Sequence, residues 1–533
     1  MLLFLKIVVS GGDAVGVNKK SGEVKVFARK ATGLVKNVSF LDAVSLNMGD
    51  MSAGAALATI GFTTVLLASM SGVNLVYASL LAFVLSIPQI IVYTIMNRKV
   101  PRTGGDYIWS SRIFGGLLGG SLAFMGYTLE TLAYLALISL STVFAIGSVG
   151  VALGNMGFLG LALPGNTPGA AIGLQFLIAT VIFALLILLN IFKPKWGYKI
   201  VTISILLGII ILLISIGVLL GAGRSGVENY INSLTSQGLN ETYSQIAQSY
   251  TGSRFNFMST LFLLPFFAIF VYPWINASPA VSSEVKSKKG VRWAVPVSSL
   301  LVMALVTGGF AAMYYAGGFN FINAALANSK LVFDFSFNFW TLSMGVSHSL
   351  ILSIIIGLGW ILWDIGILAY GIIVFSRYLF AQSFDRFLPE LFSKISRYGS
   401  PAFAHLFDLI VTVFLIAGAA FVYGPFSSLY GAVVASMIYF AFIGVAAAVY
   451  GVRFIRSGEK YTLLISGVLM ALVFAYITYQ FLAYPSIWGG NALAYGYVVA
   501  SFIAGLILYE ISKIRNAKKG IDISLAFKEI PPE

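Results

Sequence analysis

The chain has 533 residues, of which 59% are hydrophobic and only 10% are charged, and its mean hydropathy is +0.92. A soluble protein of this length carries about a quarter charged residues, so the composition excludes a soluble globular enzyme and indicates a polytopic membrane protein. The chain has no cysteine and only two histidines, His348 and His405. This rules out a disulfide framework and a cysteine nucleophile, and gives no indication of a metal site or other cofactor.

The chain begins with a basic extension. Its first residues, MLLFLKIVV, form an apolar run that is short and lacks a preceding basic region, which argues against a cleaved signal sequence. Seven Lys and Arg residues stand before residue 37 and would resist translocation. We expect residues 1–38 to form a cytoplasmic tail.

Twelve apolar runs follow, each long enough to cross a bilayer, which takes about 20 residues. They define predicted spans 1 to 12, at about 40–68, 75–96, 114–149, 170–192, 200–222, 257–282, 294–317, 349–380, 403–423, 426–450, 461–483 and 491–512. An even number of spans places both termini on the same side, so residues 513–533 form a second tail beside the first.

The Lys and Arg residues set the orientation, because cytoplasmic loops are enriched in them. The side of the termini holds 30 of the 33, and the other side holds only Arg224, Arg254 and Lys330. Both termini are therefore predicted to be cytoplasmic, and the net charge of +14 reflects topology rather than nucleic-acid binding. The longest outside loop, about 223–256, contains the sequon Asn240-Glu241-Thr242, which is either glycosylated or unmodified.

Spans 1 and 6 are both interrupted in the middle, at Asn47–Gly54 and at Tyr272–Asn276, which includes Pro273. Proline removes a helix donor, and unwound backbone at membrane depth is tolerated where it is buried or lines a cavity. A proline kink is the alternative, but two matching breaks five spans apart favour a binding site. Residues 39–228 and 256–450 would then be five-helix repeats in opposite orientations, with spans 11 and 12 at 461–512.

Three motifs occur in order on the predicted cytoplasmic side: PRTGGDYIWSSRIFG at 101–115, EVKSKKGVRWAVP at 284–296, and SRYLFAQSFDRFLPELFSKISRYGSPAFAH at 376–405. Together they resemble the amino acid–polyamine–organocation permeases, especially archaeal amino acid permeases. The resemblance implies an all-α LeuT-type fold with a 5+5 inverted repeat and broken helices 1 and 6. It also implies alternating access and an amino acid or amine substrate.

The resemblance further implies a substrate site at the two breaks. Backbone amides of span 1 would hold the substrate carboxylate, because helix N-termini attract anions, and carbonyls near Asp50, Phe270 and Pro273 would hold the ammonium group. Phe270 is the candidate aromatic gate, with Tyr272 as the alternative. The family's Gly-Ser-Gly-Ile-Phe-like element is replaced here by Ser52–Ala56. The candidate substrate-binding residues are Asp50, Met51, Ser52, Ala53, Gly54, Phe270, Tyr272, Pro273 and Asn276.

Acidic residues at bilayer depth are costly and are functional candidates. Asp50 in span 1, Glu130 in span 3 and Asp364 in span 8 are candidates for proton or ion coupling. The alternative role is a structural hydrogen bond to the unwound backbone for Asp50, and an interhelical hydrogen bond for Glu130 and Asp364. Glu130 is expected to share a helix face with Tyr127 and Tyr134. Asp408 in span 9 is expected to have a packing role, and Asp42 is expected to cap a helix together with Ser39.

The family resemblance also bears on the coupling ion. In sodium-coupled members, hydroxyl groups of span 8 complete a cation site, and here span 8 has no Ser or Thr between Ser353 and Ser376. Some proton-coupled members have a lysine in span 5, and residues 200–222 contain none. Buried carboxyl groups could carry protons instead. The sequence therefore favours a proton-coupled amino acid importer in the cytoplasmic membrane, surrounded by lipid.

Three other functions stay open: an organocation or polyamine carrier, an amino acid exchanger, and a non-transporting sensor. An enzyme is disfavoured because no convergent catalytic groups are visible. The sequence does not indicate an oligomeric state.

Overall fold

The described part of the chain is helical. The structure is a computed structural model, and it describes residues 33–67, 70–163, 165, 167–423 and 431–531. Most of the predicted N-terminal tail and the start of predicted span 10 lie outside these ranges. No β-strand occurs within them, and their one isolated bridge pairs Val38 with Val285.

Ten helices among the described residues are long and apolar enough to cross a membrane. They correspond to predicted spans 2–5 and 7–12, and they keep those numbers here. Their bounds are Leu75–Lys99, Asp106–Ala152, Ile172–Phe192, Pro194–Gln237, Lys288–Gly317, Leu350–Phe384, Ala402–Val422, Val434–Phe454, Glu459–Ala483 and Ala492–Ala517. The all-α polytopic class is confirmed. The total of twelve spans stays a prediction, as does the division into two inverted repeats, because spans 1 and 6 are each divided into shorter helices.

Span 1 consists of two helices, Phe40–Asp50 and Ala53–Thr64, separated by Met51 and Ser52. The predicted cap at its beginning is present, since Ser39 Oγ accepts from the N–H of Asp42 at 3.1 Å and the Asp42 carboxylate accepts from the N–H of Ser39 at 3.0 Å. Such reciprocal capping satisfies donors that a helix start would otherwise leave unpaired.

Span 6 is divided further. Its helices are Phe257–Phe262, Leu264–Phe270 and the single turn Ala277–Ala280. The backbone between Phe270 and Ala277 is non-helical, which is where the sequence places its prolyl break.

Span 3 is longer and less regular than predicted. It begins at Asp106 rather than near residue 114, directly after Gly104 and Gly105, whose positive φ angles of 87° and 45° make the turn that starts it. Two π-helical segments, Gly116–Gly120 and Phe124–Leu129, interrupt the α-helix. Tyr127 lies in the second segment, whose wider turn changes its spacing relative to Glu130. The face that these two residues were expected to share stays a prediction.

Span 5 also runs beyond its prediction. The helix Pro194–Leu234 continues through a kink at Gly223 into the predicted outside loop, which contains a further helix, Tyr243–Ser249. That region is therefore largely helical rather than an open loop. Asn240 of the sequon is exposed between the two helices, and its glycosylation stays a prediction.

Short helices complete the described connections. The α-helical ones are Leu159–Ala162, Phe319–Ala327, Ser329–Asp334 and Phe339–Gly345. The 3-10 turns are Met156–Phe158, Thr235–Gln237, Ser282–Glu284, Glu390–Ser393, Gly431–Val433 and Ile523–Phe527.

The broken spans lie in the interior of the bundle. Span 7 packs against spans 1, 2 and 5, span 8 packs against spans 1, 3 and 5, and spans 10 and 11 pack along each other. Residues from Ala43 to Ile60 are all buried, and so are residues from Leu263 to Val281. The breaks are therefore surrounded by protein rather than by lipid, as unwound backbone at membrane depth requires.

The loops rich in Lys and Arg meet at one end of the bundle, which we call the basic end. It comprises residues 98–112, 193–199, 284–292 and 377–397. The guanidinium group of Arg377 donates to both carboxylate oxygens of Glu284, at 2.8 and 2.9 Å, and this ion pair is almost completely buried. The hydroxyl of Tyr198 donates to the same carboxylate at 3.0 Å. These bonds hold the ends of spans 5, 6 and 8 together.

Candidate functional site

The break in span 1 presents free backbone donors. The first N–H groups of a helix have no partner within that helix. At the start of Ala53–Thr64, Ser52 Oγ accepts from the N–H of Ala55 at 3.3 Å, and the Ser52 carbonyl accepts from Ala56 at 3.2 Å. The N–H groups of Ala53 and Gly54 form no hydrogen bond with the residues that the structure describes. The positive end of this helix dipole is thus exposed toward the break.

In the break of span 6, side chains donate hydrogen bonds to backbone carbonyl groups that the N–H groups of a continuous helix would otherwise pair. Gln89 of span 2 donates its Nε2 proton to the carbonyl of Pro273 at 2.8 Å. The indole N–H of Trp274 turns back to the last carbonyls of the preceding helix, Ala268 at 3.0 Å and Ile269 at 2.9 Å. Backbone groups that a continuous helix would pair internally are therefore paired by specific side chains here.

The two breaks are joined directly. The Oδ2 atom of Asp50 accepts from the N–H of Ala277 at 3.0 Å, and Oδ1 of Asn47 accepts from the N–H of Ser278 at 2.7 Å. Side chains of span 1 thereby cap the last short helix of span 6. Oδ1 of Asp50 forms no hydrogen bond within 3.5 Å in the described part of the chain, and Tyr370 of span 8 packs beside this carboxyl group.

The aromatic candidates of span 6 differ in their surroundings. The hydroxyl of Tyr272 is 2.7 Å from Oγ of Ser79, which also contacts Thr307 at 2.9 Å. Phe270 packs against Phe266, with ring centroids 5.4 Å apart. Tyr272 is therefore anchored to spans 2 and 7, whereas the Phe270 ring makes apolar contacts at the end of its helix, so Phe270 remains the first candidate for a gate.

Two tryptophans that the sequence analysis did not assign pack on the span 1 break. The indole N–H of Trp340 donates to the carbonyl of Gly54 at 3.0 Å. A methyl group added to Gly54 would lie 2.1 Å from Cγ of Trp363, so this side chain packs directly against the glycine. The sequence does not predict these contacts, because tryptophan is an ordinary residue in an apolar stretch and nothing near either tryptophan in the chain points to span 1. Gln89 is different, since an amide within an apolar span is itself unusual.

The other intramembrane acids are buried but do not bond to the breaks. Oδ2 of Asp364 accepts from Ser141 of span 3 at 3.3 Å. Glu130 lies beside Ser436 of span 10, and neither carboxyl oxygen forms a hydrogen bond within 3.5 Å among the described residues. Oδ1 of Asp408 accepts from Thr412 on its own helix at 2.9 Å, and its Oδ2 forms no hydrogen bond within 3.5 Å among the described residues, so its packing role stays a prediction. No group of three or more His, Cys, Asp or Glu residues in the described part of the chain is arranged to hold a metal ion.

Comparison with known proteins identifies the family. The profile of the family described as amino acid permease matches residues 38–507, which include every helix from span 1 to most of span 12. A segment of 86 residues is 31% identical to uncharacterized protein 399 of Sulfolobus islandicus rod-shaped virus 1. That segment is 16% of this chain and 21% of the viral protein, so it carries no functional argument. The family match covers most of the chain, and the chain belongs to the amino acid permease family.

Proposed function

We propose that the protein is a secondary active transporter that imports amino acids by alternating access and couples their movement to protons. The observation that carries the proposal is the junction of the two breaks. There, two unpaired amides and a carboxylate lie in the buried interior of a membrane protein. This combination fits a zwitterion, which brings one negative and one positive group.

The substrate carboxylate would bind the N–H groups of Ala53 and Gly54. Hydrogen bonds from neutral donors to a charged acceptor are stronger than those between neutral groups, and the helix dipole adds to them. The ammonium group would bind the free oxygen of Asp50 together with a carbonyl of the span 6 break. Pro273 can contribute, because its carbonyl has a second lone pair besides the one that Gln89 uses.

A closed basic end is consistent with alternating access. The buried pair of Glu284 and Arg377 must separate if the site is to open on that side. We place this side in the cytoplasm, with both termini, and the protein in the cytoplasmic membrane, because cytoplasmic loops are enriched in Lys and Arg. Opening toward the opposite side would leave this pair intact.

Proton coupling is supported by the carboxyl groups in the interior. Asp50, Glu130 and Asp364 each have an oxygen atom without a hydrogen bond in the described residues. An unpaired buried carboxylate is costly, so a bound proton or a bound cation is expected at some stage of the cycle. The absence of Ser and Thr from the middle of span 8 favours the proton over sodium.

The test is uptake of a radiolabelled amino acid mixture into proteoliposomes that contain the purified full-length chain. We expect accumulation under an imposed proton gradient and not under a sodium gradient at constant pH. The Asp50→Asn variant should lose accumulation, and Asp334→Asn, which changes an exposed carboxylate, should retain it. Uptake only into amino-acid-loaded vesicles would identify an exchanger. Competition by amines that lack a carboxylate would identify an organocation carrier, and no uptake by any of these routes would refute the proposal.

A further inference from the structure

A second buried carboxylate, Asp106, lies at the start of span 3 on the basic end and accepts hydrogen bonds from three tyrosines. Tyr93 of span 2 donates to Oδ2 at 2.5 Å, Tyr439 of span 10 donates to Oδ1 at 2.8 Å, and Tyr378 of span 8 also donates to Oδ1. The side chain of Asp106 is completely buried. One acidic group of span 3 therefore joins this span to spans 2, 8 and 10.

This cluster is also connected to the span 6 break. The side-chain amide of Asn276 donates to the hydroxyl oxygen of Tyr378 at 3.1 Å, and the Tyr378 ring stacks on Tyr127 of span 3 with centroids 3.8 Å apart. The next residue, Ala277, donates its N–H to Asp50. Two neighbouring residues of span 6 are therefore held from different sides. Asp50 binds Ala277 from the candidate substrate site, and Asp106 holds Asn276 from the basic end through Tyr378.

Counting donors and acceptors shows that the cluster fits the ionised carboxylate. A carboxylate only accepts, and all three phenols donate to it. The oxygen of Tyr378 already accepts from Asn276, so its own proton must go to Asp106. Protonation of Asp106 would weaken all three bonds, because a neutral carboxyl group is a poorer acceptor than a carboxylate.

The charge of Asp106 has no cationic partner within the described part of the chain. The groups that face it are Tyr93 from span 2, Tyr378 from span 8, Tyr439 from span 10 and, through the stacked Tyr378 ring, Tyr127 from span 3. Asp50 in span 1 is close enough to repel it. Arg112, on the same helix, instead pairs with Asp385. The negative charge is therefore stabilised by the three phenol hydrogen bonds, by the adjacent backbone N–H of Tyr107 and by the position of Asp106 at the N-terminus of its helix, and protonation would weaken all of these interactions.

We propose that Asp106 is a proton-operated latch: ionised, it holds the span 6 break against the basic end, and protonated, it releases Tyr378 and Asn276 so that this end can open. This inference rests on the proposed transport function and adds a coupling group to it. The proton that binds Asp106 leaves to water at the basic end when the latch forms again. Asp106 is a positioning residue here, since it acts on the break through Tyr378 rather than by touching the substrate.

The test separates exchange from accumulation in proteoliposomes of the full-length chain. Exchange of internal for external amino acid needs only reorientation of the loaded transporter, whereas accumulation needs the linked proton. We expect Asp106→Asn to retain exchange and to lower proton-driven accumulation by about tenfold or more. Tyr378→Phe should produce the same split, because it cuts the link to Asn276 and keeps the stacked ring. Tyr93→Phe is the matched control: it removes one phenol but leaves the link intact, and accumulation should persist.

A pH profile provides a readout that a purely structural role would not change. The chain has no cysteine, so a single Ser278→Cys substitution, two residues after Asn276, reports opening of the span 6 break by its alkylation rate. Because only the thiolate reacts, this rate is divided at each pH by the rate for a free cysteine. The ratio should rise as the pH falls, and Asp106→Asn should make it high and independent of pH. Equal loss of exchange and accumulation in folded Asp106→Asn or Tyr378→Phe protein, or no loss in either, would overturn the latch. Failure of the unaltered chain to exchange or accumulate would instead count against the transport function itself.

Discussion

Replacing Gly54 with alanine should damage both stability and substrate binding. The added methyl group would lie 2.1 Å from Cγ and 2.2 Å from Cδ1 of Trp363. The indole would have to move by about 1.3 Å to reach the 3.4 Å of an ordinary van der Waals contact. The same ring also packs against Gly208, where a methyl group would lie 3.0 Å from Nε1. The ring is thus enclosed between spans 1 and 5.

Overpacking of this kind costs about 1–3 kcal/mol of the free energy of unfolding. Displacement of Ala53 and Gly54 would also weaken their hydrogen bonds to a substrate carboxylate. Bonds to charged groups contribute about 1.5–3 kcal/mol, which corresponds to a Kd raised about 10- to 150-fold. Thermal unfolding in detergent measures the first effect, and concentration dependence of uptake measures the second.

Two further variants make the reasoning refutable. Gly217→Ala, in the middle of span 5, meets no atom within 4 Å and should be neutral or slightly stabilising, since alanine favours a helix over glycine by about 1 kcal/mol. In a Trp363→Ala background, Gly54→Ala should cost less than in the unaltered chain, because the ring atoms that the methyl group meets, Cγ and Cδ1, are absent. If Gly54→Ala unfolds and transports like Gly217→Ala, or if it costs as much in the Trp363→Ala background as in the unaltered chain, the contact does not matter as we describe.

Three other outcomes follow from the bonds around the breaks and the basic end. Gln89→Met should lower the free energy of unfolding by about 1–3 kcal/mol, because the buried carbonyl of Pro273 loses its donor; thermal unfolding measures it, and an unchanged midpoint would contradict it. Glu284→Gln should cost about 3–5 kcal/mol by leaving Arg377 buried without its charge partner. Glu459→Gln removes the carboxylate that pairs with Arg98 and Lys99, all about one-third exposed, and should cost less than about 1 kcal/mol. Equal losses in the two variants would refute the role that we assign to burial.

The sequence predicted the breaks well because their causes are local. Pro273 cannot complete a helix ladder, and Asp50 is costly in an apolar span unless something compensates it. The cap formed by Ser39 and Asp42 was predictable for the same reason. The residues that bind to the breaks and to Asp106 were not predictable, because they come from distant positions in the chain. The Asp50–Ala277 bond spans 227 residues and the Asp106–Tyr439 bond spans 333.

Other features depend on packing that no periodic pattern records. The π-helical segments of span 3 contain the same apolar residues as the α-helix around them, so hydropathy does not distinguish the two. Asp106 stands inside a motif that the sequence analysis used for the family resemblance, yet nothing near it in the chain signals three tyrosines from other spans. The contact of Trp363 with Gly54 is equally invisible until spans 1 and 8 are brought together.

The capping of span 6 by span 1 also constrains how the protein is made. Asp50 and Asn47 are synthesised 227 and 231 residues before the N–H groups that they bind. At about 5–20 residues per second, the ribosome needs on the order of 10 to 50 s to supply those partners. During that interval span 1 has a carboxylate and unpaired amides but lacks the protein surroundings that compensate them. We therefore expect span 1 to stay in contact with the insertion machinery, where polar groups can pair with its carboxylate and amides, until span 6 has been synthesised.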